Sequence, residues 1–189
     1  MTEATFLPAA QRAATPWKNG GGSTAEVIVY PPDADFASFR WRLSIAEVAT
    51  AGPFSHFAGI DRTLAVIAGE LTLTIDGVEV TLGEKSPPLP FSGEAPVVGR
   101  PVGGPVTDLN AMVRRGHFVA EMTPLSGGEI FEIAGEMLVI VALAPLTLSH
   151  RGRKQPLGRL DAFTCASGPI EIDAPRGERI GFAVRFIPK

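Results

Sequence analysis

Apolar and polar residues alternate with a period of two along much of this chain. Trp41, Leu43 and Ile45 alternate with Arg40, Arg42 and Ser44. Leu71, Leu73 and Ile75 alternate with Thr72 and Thr74, and Val78, Val80 and Leu82 follow with Glu79 and Thr81 between them. In an extended strand successive side chains point to opposite faces, so each run predicts a strand with one buried face. Asp76-Gly77 separates two such runs and predicts a hairpin, because both central residues of a type I′ turn need positive φ. A further alternation, Ile180, Phe182, Val184 and Phe186, closes the chain. Other strands are expected at 25–30, 62–68, 117–122, 130–133, 137–143 and 160–164. A short helix is expected around 9–14. The segment 86–105 carries six prolines. Since proline donates no ladder hydrogen bond, a long loop or a boundary is expected there rather than a central strand.

Composition supports this picture. Glycine (21) and proline (17) make up about a fifth of the 189 residues, against about 12% on average, and they punctuate short apolar segments. A dozen short strands joined by turns predict an all-β protein, a sandwich or a barrel. The expected division lies near 115, giving an N-terminal lobe 1–115 and a smaller lobe 116–189 packed as one compact unit. The second lobe is short for a complete jelly roll, so the lobes are expected to share strands, with a first strand near 6–10 pairing into the second lobe.

Charge and cysteine use narrow the function classes. The net charge is −3, and no basic run exceeds the pair Arg114-Arg115 apart from Arg151, Arg153 and Lys154, which read as a solvated loop. No nucleic-acid or membrane partner is expected. Cys165 is the one cysteine; it forms no internal disulfide and is expected to act as a small buried hydrophobe. No signal-peptide pattern opens the chain, and the longest apolar run, 137–146, is too short to span a bilayer. A cytoplasmic protein is expected.

The candidate chemistry falls into a few stretches. His56, His117 and His150 form no local pair, so no metal and no cofactor are expected. Ser55 and His56 are neighbours that diverge on a strand, which disfavours a nucleophile–base pair. Trp17-Lys18-Asn19-Gly20-Gly21-Gly22 is the densest stretch. Successive glycines can let main-chain N–H groups converge on an anion, beside a cation and an amide; the alternative is a turn into the following strand. It is no phosphate loop, because the Gly-x-x-x-x-Gly-Lys spacing is absent. Arg42 and Ser44 share a strand face, where they would suit a carboxylate in a barrel mouth; a plain solvent face is the alternative. Asp61 and Arg62 should diverge, each toward its own partner.

Three separated motifs resemble the HutD/Ves family. The first is Pro16 to Gly22 with Thr24 and Glu26. The second is Trp41-Arg42-Leu43-Ser44-Ile45-Ala46 with Val48, continuing through Gly52-Pro53-Phe54-Ser55, Phe57, Gly59, Asp61 and Arg62. The third is Gly103 to Asn110 with Met112 and Arg114. The resemblance implies a cupin-like (RmlC-like) jelly-roll barrel, a two-lobed bicupin. The His-x-His and Glu of metal-binding cupins are not matched, since this stretch reads Ser55-His56-Phe57.

The resemblance also implies a link to histidine utilisation. The expected role is metal-independent binding of a carboxylate-bearing metabolite such as formylglutamate or urocanate. The expected ligand residues are Trp17, Lys18, Asn19, Gly20, Gly21, Gly22, Arg42, Ser44, Phe54, Ser55, Asp61, Arg62, Asp108 and Asn110. One alternative is a metal-free isomerase or hydrolase with Glu26, Asp61 or Asp108 as base. Another is a structural or partner-binding protein, and a homodimer is expected to be compatible with any of these.

Overall fold

The computed structural model describes residues 4–189. The chain begins with β1 (Thr5–Leu7) and a single 3-10 turn over Ala9–Gln11. That turn replaces the helix expected at 9–14. Only Gln11 N–H to Pro8 O and Arg12 N–H to Ala9 O close, and the chain is extended again from Ala14.

Two compact units follow from the packing. One is Ala13–Phe118; the other is Val119–Lys189 together with the residues up to Arg12. The first residues go with the later unit because Thr5, Phe6 and Leu7 pair with Thr164, Phe163 and Ala162.

The 13–118 unit contains β2 (Ala14–Pro16), β3 (Gly22–Tyr30), β4 (Trp41–Val48), β5 (Gly52–Pro53), β6 (Ile60–Ile75), β7 (Val78–Gly83), β8 (Leu89–Ser92) and β9 (Val97–Arg114). Its sheet runs β2-β3-β4-β9-β6-β7, with β5 beside β9 and β8 beside β6. Asp76 and Gly77 both have positive φ, 50° and 81°, as the hairpin requires. Strands β6 and β9 pair along almost their full lengths, with breaks in register between Val66 and Glu70. Bulges of this kind bend long strands. Val66 and Leu64 from before the break meet Leu71 and Leu73 from after it, together with Val48, Leu82, Val97 and Val106, in one core cluster.

The proline-rich segment is therefore corrected from loop to strand. β8 and the first part of β9 lie within 86–105. Pro101 is opposite Leu71 of β6, but on its other side β5 reaches only Val98 and Gly99 and β4 begins at Val106. The missing N–H therefore falls on an open edge, where proline is tolerated. Pro105 falls in the stretch where the β6–β9 register is interrupted.

The second unit adds β10 (Phe118–Leu125), β11 (Ile130–Phe131), β12 (Ala134–Ala142), β13 (Leu146–His150), β14 (Arg153–Leu157), β15 (Ala162–Ser167), β16 (Ile170–Asp173) and β17 (Gly181–Pro188). They form two sheets, β1-β15-β12-β17-β10 and β11-β16-β13-β14. Alternate residues of both, among them Leu138, Ile140, Phe163, Leu148, Ile170 and Ile172, build one shared core. Burying each such side chain contributes roughly 1.5–3 kcal/mol. Among the described residues no helix is long and apolar enough to cross a membrane.

Candidate functional site

The inward face of the 13–118 unit follows from strand register. Residues paired across neighbouring strands point the same way. Arg42 pairs with Met112, Ser44 with Asn110 and Ala46 with Asp108. Across β6 and β9, Arg62 pairs with Met112, Leu64 with Asn110 and Val66 with Asp108. Glu26 lies opposite Ser44 and Thr24 opposite Ala46. One face thus carries Thr24, Glu26, Arg42, Ser44, Arg62, Asp108 and Asn110, continuous with the apolar core of Leu64 and Val66.

Arg62 is the centre of this face. It is 7% exposed, and its guanidinium lies over Phe54 (5.3 Å), Phe57 (5.8 Å) and Phe91 (5.0 Å). Phe91 is its cross-strand partner on β8. Its one hydrogen bond among the described residues is long, from Nε to Asn110 Oδ1 at 3.5 Å. Neither terminal nitrogen has a protein acceptor among the described residues, and neither is sealed from solvent. Burial lowers its pKa to about 10, and Asp108 pulls it back upward.

Asp108 is 1% exposed, and its Oδ1 is buried without a hydrogen-bond partner. Burial raises its pKa to about 7, while Arg62 works in the opposite direction. Desolvation therefore outweighs the Coulombic attraction for both groups. Arg42 is held differently: Nε donates to Glu26 Oε2 at 2.8 Å, and Phe36 covers it at 4.9 Å. Phe36 also stacks on Phe57 at 5.5 Å.

The glycine stretch shapes the turn between β2 and β3. Gly20 N–H donates to Trp17 O and Gly21 N–H to Asn19 Oδ1 at 3.0 Å. These two donors are used inside the turn, as in the alternative reading of a turn into the following strand. Gly22 has a steric reason: a Cβ there would lie 2.1 Å from Glu47 O and 3.0 Å from the Trp17 ring. Trp17 Nε1 donates to Thr24 Oγ1 at 2.7 Å, and its ring meets Phe54 edge-on at 6.4 Å.

Of the residues expected at the site, Arg42, Ser44, Arg62, Asp108 and Asn110 share the inward face, and Trp17 and Phe54 border it. Lys18 and Ser55 are exposed. Asp61 is not brought to the group. It neighbours Arg62 on a strand, points the other way, and pairs with Arg115 at 2.8 Å. Phe36 and Phe91 were not anticipated. Phe91 sits among prolines and Phe36 in an irregular segment, so no periodicity marked either. Among the described residues no three His, Cys, Asp or Glu side chains gather as a metal site. Among the described residues the inward face carries no histidine or cysteine, and its Glu26 carboxylate is engaged by Arg42, so the residues present do not offer the donor set of a cupin metal.

An all-β unit whose inward strand face carries such a cluster defines a cupin-like barrel protein. A cupin 2 conserved barrel domain protein from Leptotrichia buccalis has this fold, with a TM-score of 0.60 at 10% identity over 100% of this chain and 98% of that one. The chain belongs to the HutD family, whose model matches residues 9–180. It is 33% identical, over 87% of its length and 86% of the relative's, to an uncharacterized 21.2 kDa protein in the hutC 3′ region of Pseudomonas putida. The structure of HutD from Pseudomonas fluorescens SBW25, described as a formate condition, superposes with a TM-score of 0.83 at 29% identity, covering 98% of this chain and 99% of that one.

Proposed function

We propose that the 13–118 unit binds a small carboxylate-bearing metabolite through Arg62, without a metal, and that the ligand is a histidine-breakdown product such as formylglutamate or urocanate. Arg62 carries this reading. The guanidinium lies over three aromatic rings, and its terminal N–H groups have no protein acceptor among the described residues. A planar fork of donors in a poorly solvated site matches a carboxylate bidentately. Asp108, whose pKa burial raises to about 7, adds an acid that can take up a proton beside an incoming anion. Arg42, paired to Glu26, and Asn110 offer the polar contacts for the rest of the ligand.

The histidine link rests on the relative beside hutC and on family membership. A regulatory or sensing role in the cytoplasm fits a ligand site on a rigid strand face. Calorimetry with formylglutamate, urocanate and glutamate tests the proposal. Saturable heat with one of them is expected, lost in Arg62→Met in a variant whose melting shows it is folded. No heat with any of the three, or unchanged affinity in Arg62→Met, would overturn it.

A second reading is favoured by Asp108 alone. A carboxyl with a pKa of about 7 lies in the range suited to a general base. Turnover of such a metabolite that vanishes in Asp108→Asn while binding persists would establish it; binding without any product would exclude it.

A further inference from the structure

The second unit contains a cavity that the site around Arg62 does not use. It measures about 760 Å³ and lies at the end of the core where the β13–β14 hairpin faces β15 and β1. Its floor is apolar, made by the buried Leu148, Phe163 and Cys165, with the exposed Phe6 at its edge. Burial pushes the Cys165 thiol up to about 11, so this floor carries no charge at neutral pH.

The mouth is basic. Arg151, Arg153 and Lys154 line it, and no acidic residue does among the described lining residues. Arg151 and Gly152 form the hairpin turn with φ of 50° and 75°, a left-handed pair that a non-glycine residue adopts at a cost. Arg151 is held there by Nη2 donating to Ser167 Oγ at 2.7 Å. Lys154 leans to Asp173 at 3.5 Å, with both side chains exposed. Arg153 is different. It pairs across the hairpin with His150, so it shares the inward face, and it has no hydrogen-bond or ion-pair partner among the described residues. His150 is 8% exposed. Its Nδ1 lies 3.0 Å from Pro169 O; a carbonyl only accepts, so Nδ1 carries the proton and Nε2 is left for another partner.

We propose that this cavity is a second binding site, one that takes a small organic anion with an apolar aromatic body and a single carboxylate. The body would lie on Leu148, Phe163 and Cys165, and the carboxylate would meet Arg153 and Arg151. An uncharged floor beneath Arg153, which has no ion-pair partner among the described residues, selects that combination of groups: a bare inorganic anion forgoes the floor, and a neutral aromatic forgoes the mouth.

The test uses the full chain and amide chemical-shift titration with 4-phenylbutyrate and its neutral amide. The acid is expected to shift residues 148–153 and 163–167 saturably. The amide is expected to shift them far less. Arg153→Glu, an exposed change, should weaken binding about tenfold or more by losing a charge-assisted bond. Arg62→Met should leave this binding unchanged, which separates the site from the one proposed above. Equal response to acid and amide, unchanged affinity in Arg153→Glu, or shifts confined to the surroundings of Arg62 would each overturn the proposal.

Discussion

Replacing Asp108 by Asn removes a buried carboxyl and keeps its shape. In the folded protein burial raises this group to about 7 from its ordinary value of 3.8. The folded state therefore holds the proton more tightly than the unfolded chain does. Stability from this group is fully present below about pH 4 and is lost as pH rises through about 7. The limit of the loss is about 4 kcal/mol, at 1.36 kcal/mol per unit. Between pH 5 and pH 8 the same linkage removes roughly 2–3 kcal/mol. Urea unfolding of both proteins at pH 5, 6.5 and 8 measures it, because all other titrating groups largely cancel between them. Asp108→Asn is expected to gain on the parent by that amount across the range. A gap between the two proteins that does not change with pH would refute the electrostatic account of Arg62 and Asp108.

Other consequences follow from the same geometry. Ligand affinity should rise as pH falls from 8 to 6, by up to about tenfold if the bound anion forces Asp108 to keep its proton; calorimetry at the two pH values reads this, and a flat profile contradicts it. Gly22→Ala should lose at least about 2 kcal/mol in a denaturant melt, because the new methyl overlaps Glu47 O and the Trp17 ring. Glu26→Gln should change stability by less than about 1 kcal/mol, because the Glu26 side chain is 42% exposed; a larger loss would mean that the pair with Arg42 is structural.

Much of the inward face was legible because strand alternation is a local rule. The alternation of 40–45 put Arg42 and Ser44 together, and Asp108 and Asn110 are likewise two apart. The same rule separated Asp61 from Arg62. What the sequence concealed depends on long-range pairing. Whether Pro101 has a partner on both sides is decided by where β4 and β5 end, and no local pattern records that. Phe91 reaches Arg62 only because β8 pairs with β6. The glycines of the first motif left an anion nest and a plain turn open, and only the folded turn shows Asn19 taking the Gly21 N–H for itself, as short polar side chains in turns commonly do. The run Arg151 to Lys154 read as a solvated loop, and all four of its residues are exposed at a hairpin turn; that Arg153 shares a face with His150 follows only from the β13–β14 pairing.

Everything proposed for the 13–118 unit turns on Arg62 receiving a carboxylate. A crystal structure of the protein grown with N-formylglutamate tests it most directly, with formate as the smallest probe of the same group. A carboxylate is expected in the plane of the Arg62 guanidinium, its oxygens about 2.8 Å from the terminal nitrogens, beside the rings of Phe54, Phe57 and Phe91. Density for the ligand elsewhere, with the Arg62 terminal nitrogens still unbonded, would contradict it.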